Sequence, residues 1–416
     1  MGFQQTAYTL DDLLLDVATV LELSDHDRSI ADNRFKQLKT HLERPSSSLR
    51  EYLLSSTSLI YAQGSIAIGA TIISGTDDDR FDVDAIVEFR VPKAWSNNYA
   101  LDQLHLSLQG FPGAKRIVRC TRCVQVQFAF MHMDVTILDS AEEPRAPRIG
   151  EIFHSPDSGT SYRVPSNPYG FAGWYRTSVV YQEQAFAEKV QERRRKFGVN
   201  RIVDEILAKA EQEPLPPVIP PRVDAQQVVA LKLLKRFIYL IYQGRDLKRP
   251  PSIYLTKISQ TCGFDDRGLT AQLETLATKL RADMALAHVL GAGPDERNPT
   301  YELDRLNDRW PTTQAQRKAF IDDMSTLLSA LERARKSDIT EISRILAELF
   351  GEKVSARSVD AFASRIDQRQ TARSLSYERG TGSMLATGTS VISAPASAIS
   401  VAPKHNFHCE VLKPDK

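Results

Sequence analysis

The chain has 416 residues, 42% of them hydrophobic and 25% charged, a composition that fills roughly two or three packed cores and excludes a small stapled scaffold. Lys and Arg number 53 against 52 Asp and Glu, so the formal net charge of +1 excludes a whole-surface grip on long nucleic acid or acidic lipid, and any phosphate binding must be local. The four cysteines lack framework spacing and fit a reducing cytoplasm, and no apolar run approaches the roughly 18 residues of a membrane span. The start lacks a secretory profile; its Gly2 and Thr6 fit the loose myristoylation pattern, which is too short and common to establish an anchor.

Leu13, Leu14, Val17 and Leu21 fall at helical spacing, and Ile30, Phe35, Leu38 and Leu42 mark a second helix, so the first 58 residues read as packing elements. From Leu59 the texture changes to short apolar runs broken by Gly and Asp: SLIYAQGSIAIGATI, FDVDAIVEF and CVQVQFAFMHMDVTIL. These predict the strands of a mixed sheet over about 60 to 140. The third run reads as one continuous strand, with Val124, Val126, Phe128, Phe130 and His132 along one side. A loop-rich stretch follows, then a basic helix whose run Arg193-Arg194-Arg195-Lys196 reads as a solvated face or a contact for nucleotide or RNA. Pro214, Pro216, Pro217, Pro220 and Pro221 make an extended connector. Helical patterns then cover 224–243, 269–290, 314–336 and 338–351, the last with Asp338 and Glu341 as a capping box and Gly351 as its stop. Residues 380 to 403 carry no charge and no periodic apolar face, which predicts a flexible tail ending in Lys404 to Lys416.

The chemistry concentrates in three places: Gly64-Ser65, then, after sixteen intervening residues, Asp82-Val83-Asp84, then Asp134 on a later strand. Carboxylates at i and i+2 on a strand project side by side, and both stay ionised cheaply only with a cation between them. A third acid completes an all-oxygen donor set of the kind hard Mg²⁺ prefers. Gly64 gives backbone freedom for close approach to a phosphate, and Ser65 offers a hydroxyl and an N–H to its oxygens. Together these parts describe metal-assisted phosphoryl transfer. Asp77, Asp78 and Asp79 form a second acidic group, but only Asp82 and Asp84 lead directly into an apolar strand. No P-loop and no nucleophile elbow is present, which sets aside P-loop ATPases and elbow hydrolases.

This order of motifs resembles the DNA polymerase β-like nucleotidyltransferase superfamily. Within it, the fuller match is to the cGAS/DncV-like nucleotidyltransferases, the CD-NTases of bacterial CBASS anti-phage systems. The likeness runs over about residues 10 to 350. It is carried by Gln63-Gly64-Ser65, the strand from Phe81 to Val87, the helix Leu231-Lys232-Leu233-Leu234-Lys235-Arg236, and the segment from Pro251 to Thr256. The resemblance implies an α+β, two-lobed nucleotidyltransferase fold: a mixed sheet flanked by helices plus a helical C-terminal domain, with the active site in the cleft between them. It implies N-terminal helices over 1–58 packing on both lobes, a catalytic core over 59–160, a mainly helical domain over 161–370, and a flexible tail over 371–416.

By the same resemblance Asp82, Asp84 and Asp134 are catalytic and bind Mg²⁺, with Mn²⁺ as a substitute. Gln63, Gly64, Ser65, Lys232, Lys235 and Ser252 contact the nucleotide. The implied reaction converts nucleoside triphosphates, ATP or GTP or both, into a cyclic di- or trinucleotide messenger that acts on a downstream effector. One departure is the insertion SGTDDDRF between Ser65 and Asp82. Two alternatives compete: a nucleotidyltransferase that modifies RNA, protein or a small molecule, and a catalytically silent nucleotide-binding module, against which three mutually repelling acids speak. Tyr254 reads equally as a base platform and as core, and His132 as core or as support for Asp134. Cys120-x-x-Cys123 has zinc-knuckle spacing but no second pair, and on a strand the two would face opposite sides. His405, His408 and Cys409 lie in the tail, whose end suits a protein partner or covalent attachment.

Overall fold

The computed structural model describes residues 2–74, 81–142, 148–179, 184–197, 225–371, 375–377 and 384–386. The chain divides into two compact units, Met1–Ser358 and Val359–Lys416. Asp77 to Asp79, the proline-rich connector and the tail's His405, His408 and Cys409 fall outside the described residues.

The first unit opens with α1 (Gly2–Val20) and α2 (Asp25–Leu42). Leu10, Leu13, Leu14 and Val17 of α1 are wholly buried, and α2 starts on a reciprocal capping box between Ser24 and Asp27. After α3 (Arg50–Leu53) come β1 (Leu59–Gln63), α4 (Gly64–Ala67), β2 (Phe81–Phe89), α5 (Asn97–Leu108), β3 (Arg116–Arg119), β4 (Val124–Gln127), β5 (Met131–Ser140), β6 (Gly150–His154) and β7 (Tyr162–Ser166). The seven strands form one sheet in the order β1-β2-β5-β4-β3, with β6 pairing β5 and β7 pairing β6. Only β2 and β5 run parallel. The long β5 pairs β4 through His132 to Val135 and β6 through Leu138 to Ser140, both on the edge opposite β2.

Strand alternation sorts β2 into two faces. Val83, Ala85, Val87 and Phe89 enter the main core with Leu38 and Leu42 of α2 and Leu101, Leu104 and Leu108 of α5. Asp82, Asp84, Ile86 and Glu88 occupy the other face, where Ile86 joins Tyr61 and Leu138 in a small second core. One end of that second face is left to carboxylates.

The third apolar run is two strands, which corrects the single-strand expectation. β4 and β5 form a tight hairpin in which the Phe128 N–H donates to the Met131 carbonyl (2.9 Å) and Gln127 faces His132. Phe128 is buried while Phe130 is 61% exposed at the turn, so the two do not share a face. The preceding turn is equally tight: the Cys120 N–H donates to the Cys123 carbonyl (2.8 Å), which sets the two cysteines side by side and not on opposite sides of a strand.

The helical part follows with α6 (Pro168–Ser178), α7 (Gln184–Phe197), α8 (Gln226–Gln243), α9 (Ser252–Thr261), α10 (Leu269–Val289), the small hairpin β8 (Arg297–Asn298) and β9 (Tyr301–Arg305), α11 (Gln314–Arg335), α12 (Ile339–Phe350) and α13 (Glu352–Thr371). Thirteen of the eighteen residues of α8 are buried, and α8 packs against α1, α9, α10 and α12. Phe320, Met324, Leu327 and Leu331 form the buried stripe of α11, and Asp338 caps α12 by accepting the Glu341 N–H (3.0 Å). The second unit, by itself, holds the end of α13 and the strand pair β10 (Leu375–Tyr377) and β11 (Met384–Ala386).

Candidate active site

The site is built where β1, β2 and β5 end side by side. In register, Gln63 of β1 faces Asp84 of β2, Asp84 faces Asp134 of β5, and Asp82 faces His132. Three carboxylates therefore share one face of two neighbouring parallel strands. The Gly64 backbone turns there with φ of +64°, and a side chain at that position would meet Asp84 Oδ2 at 2.0 Å. Only glycine fits, because the conformation is left-handed and the space is already held by the carboxylate.

Burial and like charge act together on these acids. Asp84 is pushed up to about 7, first by desolvation, then by the charges of Asp134 and Asp82, with Lys235 opposing. Asp134 is also raised by burial, and the Gln125 side chain holds it back by donating to Oδ1 at 2.9 Å. Asp82 is largely exposed, with His132 Nδ1 at 3.7 Å from its Oδ1. Among the described residues no three Asp, Glu, His or Cys side chains are drawn tightly enough to hold an ion as they stand. The donor set still suits one: three carboxylates with hard oxygens, whose repulsion is opposed by Lys235 at Asp84 and by His132 at Asp134.

A cleft of about 890 Å³ opens over these acids, between the sheet and α8 and α9. It brings together Gln63, Gly64, Ser65, Asp82, Asp84 and Asp134 with Lys235 and Ser252. Lys235 donates from Nζ to the Ala70 carbonyl (2.9 Å) and is pushed down to about 8, chiefly by desolvation. Ser252 is the first residue of α9, exposed at the N-terminal end of that helix. The cleft also holds residues that sequence reasoning missed. Thr71 donates to the Ser65 hydroxyl (3.2 Å), and Tyr239 and Gln243 follow Lys235 at i+4 and i+8 on α8. The last two had a readable signal in that helical spacing.

Lys232 is not brought to the cleft. It is wholly buried and paired with Glu22, which also takes Arg194 through two bonds of 2.7 and 3.0 Å. The same cluster corrects the reading of the basic run in α7 for its first two residues, while Arg195 and Lys196 are exposed as a solvated face. Arg193 and Arg194 are 2% and 1% exposed, and Arg193 reaches Asp12 and Asp16 of α1 (3.0 and 3.1 Å). They lash α7 to the N-terminal helix and face neither solvent nor nucleic acid. Tyr254 is core, with its ring centroid 5.4 Å from that of Trp310.

No protein-family model matches the chain. It is similar to the cyclic dinucleotide synthase CdnG of Bradyrhizobium diazoefficiens, with 30% identity over 409 residues that cover 95% of this chain and 93% of that protein. Among solved structures it is similar to the Bradyrhizobium diazoefficiens CD-NTase CdnG in complex with GTP, with a TM-score of 0.72 and 28% identity over 85% of this chain and 99% of the other. It shares its fold with the Vibrio cholerae DncV cyclic AMP-GMP synthase in complex with a linear intermediate, with a TM-score of 0.50 and 12% identity over 86% of this chain and 89% of the other.

Proposed function

The chain belongs to the CD-NTase family of cGAS/DncV-like nucleotidyltransferases, and on that premise we propose how its residues carry the reaction. It has the two-lobed α+β nucleotidyltransferase fold and is a cyclic oligonucleotide synthase, joining nucleoside triphosphates with release of pyrophosphate in CBASS anti-phage signalling. The observation that supports the assignment of residues is the register of Asp82, Asp84 and Asp134 beside Gly64 and Ser65.

In this reading Ser65 and Lys235 hold the donor triphosphate, the serine by hydroxyl and backbone N–H and the lysine by charge, while Gly64 lets the backbone approach it. Ser252 contacts the same phosphates from the end of α9, and Gln63 borders them. Asp134 accepts the proton of the acceptor ribose hydroxyl at the oxygen that Gln125 leaves open, and burial makes it a stronger base than an ordinary carboxylate. Asp82, Asp84 and Asp134 would hold Mg²⁺ or Mn²⁺, which supplies charge neutralisation at the phosphates and lowers the pKa of the attacking hydroxyl. In this reading a linear intermediate turns in the same cleft and a second transfer closes the ring. ATP and GTP are the proposed substrates.

We extend the reading to place and partners. No helix among the described residues is long and apolar enough to cross a membrane, which agrees with a cytoplasmic enzyme. The domain division at 58/59, 160/161 and 370/371 and a protein partner at the C-terminal tail complete the proposal.

The test is incubation of the purified protein with labelled ATP, GTP, CTP and UTP and Mg²⁺ or Mn²⁺, followed by phosphatase. A ring resists phosphatase and a linear product does not. Resistant product from the wild type and none from Asp82→Asn or Asp84→Asn is expected. Equal product from all three proteins would refute the assignment of the acids.

A further inference from the structure

The register of three neighbouring strands sets the polar side chains in two rows. One row holds Asp84 of β2, Asp134 of β5 and Gln125 of β4, and the other holds Asp82, His132 and Gln127. Val124 and Val126 of β4 point into the core, so that strand gives its whole opposite face to the two glutamines.

The two amides are joined head to tail. Gln127 donates from Nε2 to Gln125 Oε1 (2.7 Å), and Gln125 donates from Nε2 to Asp134 Oδ1 (2.9 Å). Residues two apart on a strand stand about 7 Å from each other, a span that two long side chains close. Gln125 and Asp134 are direct cross-strand partners, about 5 Å apart. Both glutamines lie outside the lining of the cleft, whereas Asp134 is part of it. Any effect of theirs on the reaction therefore passes through Asp134.

A side-chain amide has nearly the same shape either way round, so bonding alone decides which end faces which neighbour. With its nitrogen toward Asp134, Gln125 donates to the carboxylate; with its oxygen there, two acceptors would face each other. While Asp134 is ionised, a charge-assisted bond holds the nitrogen in place. The transfer step weakens that hold. The acceptor O–H bond breaks and its proton passes to Asp134, while the acceptor oxygen bonds the donor α-phosphorus and the bond to pyrophosphate breaks. Asp134 is then neutral, and its bond to Gln125 is an ordinary one. The bond from Gln127 to Gln125 Oε1 does not depend on that charge, so the amide stays where it is.

We propose that Gln127 is a positioning residue for proton transfer: it fixes the orientation of the Gln125 amide, so that Asp134 presents the same free oxygen to the acceptor hydroxyl in each successive transfer. This rests on the nucleotidyl-transfer reading with Asp134 as base, and adds a residue that touches neither nucleotide nor metal. Closing a ring takes more than one transfer at a single site. The base must return to the same geometry between them, and a relay anchored in the sheet restores it.

Steady-state pyrophosphate release by the full chain, with thermal melts alongside, tests this as a double-mutant cycle with Gln125. Gln127→Met removes the donor at similar length and is expected to lower kcat about fivefold with KM for the nucleotides unchanged. Gln127→Glu reverses the polarity of the relay, because its carboxylate competes for the Gln125 nitrogen and turns the Gln125 oxygen toward Asp134. A loss of at least about twentyfold in kcat is expected for it, again without a change in KM. In a Gln125→Leu background the relay is already cut, and either substitution is expected to change kcat by less than about twofold. A charge acting through space would survive in that background, and a relay does not. Equal losses in the two backgrounds, a loss confined to KM, or a Gln127→Glu rate within about twofold of wild type overturns the proposal. So does a greater loss from Gln127→Met than from Gln127→Glu. If Gln127→Glu melts below the assay temperature, the cycle with Gln127→Met decides the same question. A wild type that joins no nucleotides, or an Asp134→Asn variant as fast as wild type, refutes the transfer reading itself, a result distinct from an active enzyme indifferent to Gln127.

Discussion

Gly64→Ala is the sharpest perturbation of the site, because it changes one methyl group at a point where geometry leaves no room. The new Cβ would lie 2.0 Å from Asp84 Oδ2, against 3.4 Å or more in ordinary van der Waals contact, so the carboxylate must move by over 1 Å. Displacing a reacting group by that distance costs on the order of 10²-fold in rate, about 2.7 kcal/mol of barrier. The left-handed backbone at +64° adds a separate folding cost of about 1–2 kcal/mol. For a chain of this size that corresponds to a fall in Tm of roughly 1–3 °C. Gly110→Ala separates the two effects. Gly110 has φ of +74° with nothing within 4 Å of the point where the new methyl would sit, so it bears the backbone cost alone. Pyrophosphate release and thermal melts on both variants are the assay. Gly64→Ala is expected to lose about a hundredfold in kcat and Gly110→Ala none, with similar melting shifts. Rates within threefold of each other would show that Asp84 does not need its position, and would refute the argument.

Lys235→Gln raises the KM for the donor triphosphate about tenfold with little change in melting, whereas Lys232→Gln leaves KM alone and lowers stability by about 2 kcal/mol in denaturant titrations, since it removes one member of a buried ion cluster. Gln125→Leu lowers kcat several-fold with KM unchanged, because Asp134 loses the donor that fixes its orientation; steady-state kinetics decide. Tyr254→Phe alters neither nucleotide KM nor melting temperature, as its hydroxyl is buried with no hydrogen-bond partner; a raised KM would restore the base-stacking role.

Much of the sheet was legible because the first half of β2 alternates, and the acids stand out there: Asp82 and Asp84 interrupt a run whose odd-numbered partners are all core. The hairpin was missed because its turn, Ala129-Phe130, has none of the residues that usually mark one. Its signal was a change of parity. Val124, Val126 and Phe128 are buried at even positions, and Met131, Met133 and Val135 at odd ones, which a single strand cannot do. The first half of the basic run of α7, Arg193 and Arg194, was misread for a different reason. Charge in a sequence does not reveal its partner, and Asp12, Asp16 and Glu22 lie over 170 residues away.

The contrast between Lys232 and Lys235 shows how one helix organises the cleft. Three residues apart on α8, they lie near each other around the axis, yet one is spent on the N-terminal ion cluster and the other faces Asp84. Between the two destinations runs the segment from Ser65 to Ser74, and it is pinned from both sides. The Ala70 N–H donates to the Ser65 carbonyl (2.9 Å), the Ile73 N–H donates to the Leu21 carbonyl (2.9 Å), Lys235 bonds the Ala70 carbonyl and Arg236 bonds that of Ser74. Nearly every contact that fixes the phosphate-side loop is thus made to backbone. Substitutions within 66–74 that keep the backbone conformation should then be tolerated outside the buried Ala67, Ile68, Ala70 and Ile73, while loss of the α8 cations should not. The positions of Ser65 and Asp84 depend on where α8 sits, and α8 is held by packing on α1 and by Glu22 in the turn that follows it, so the N-terminal segment sets the geometry of a site it does not line.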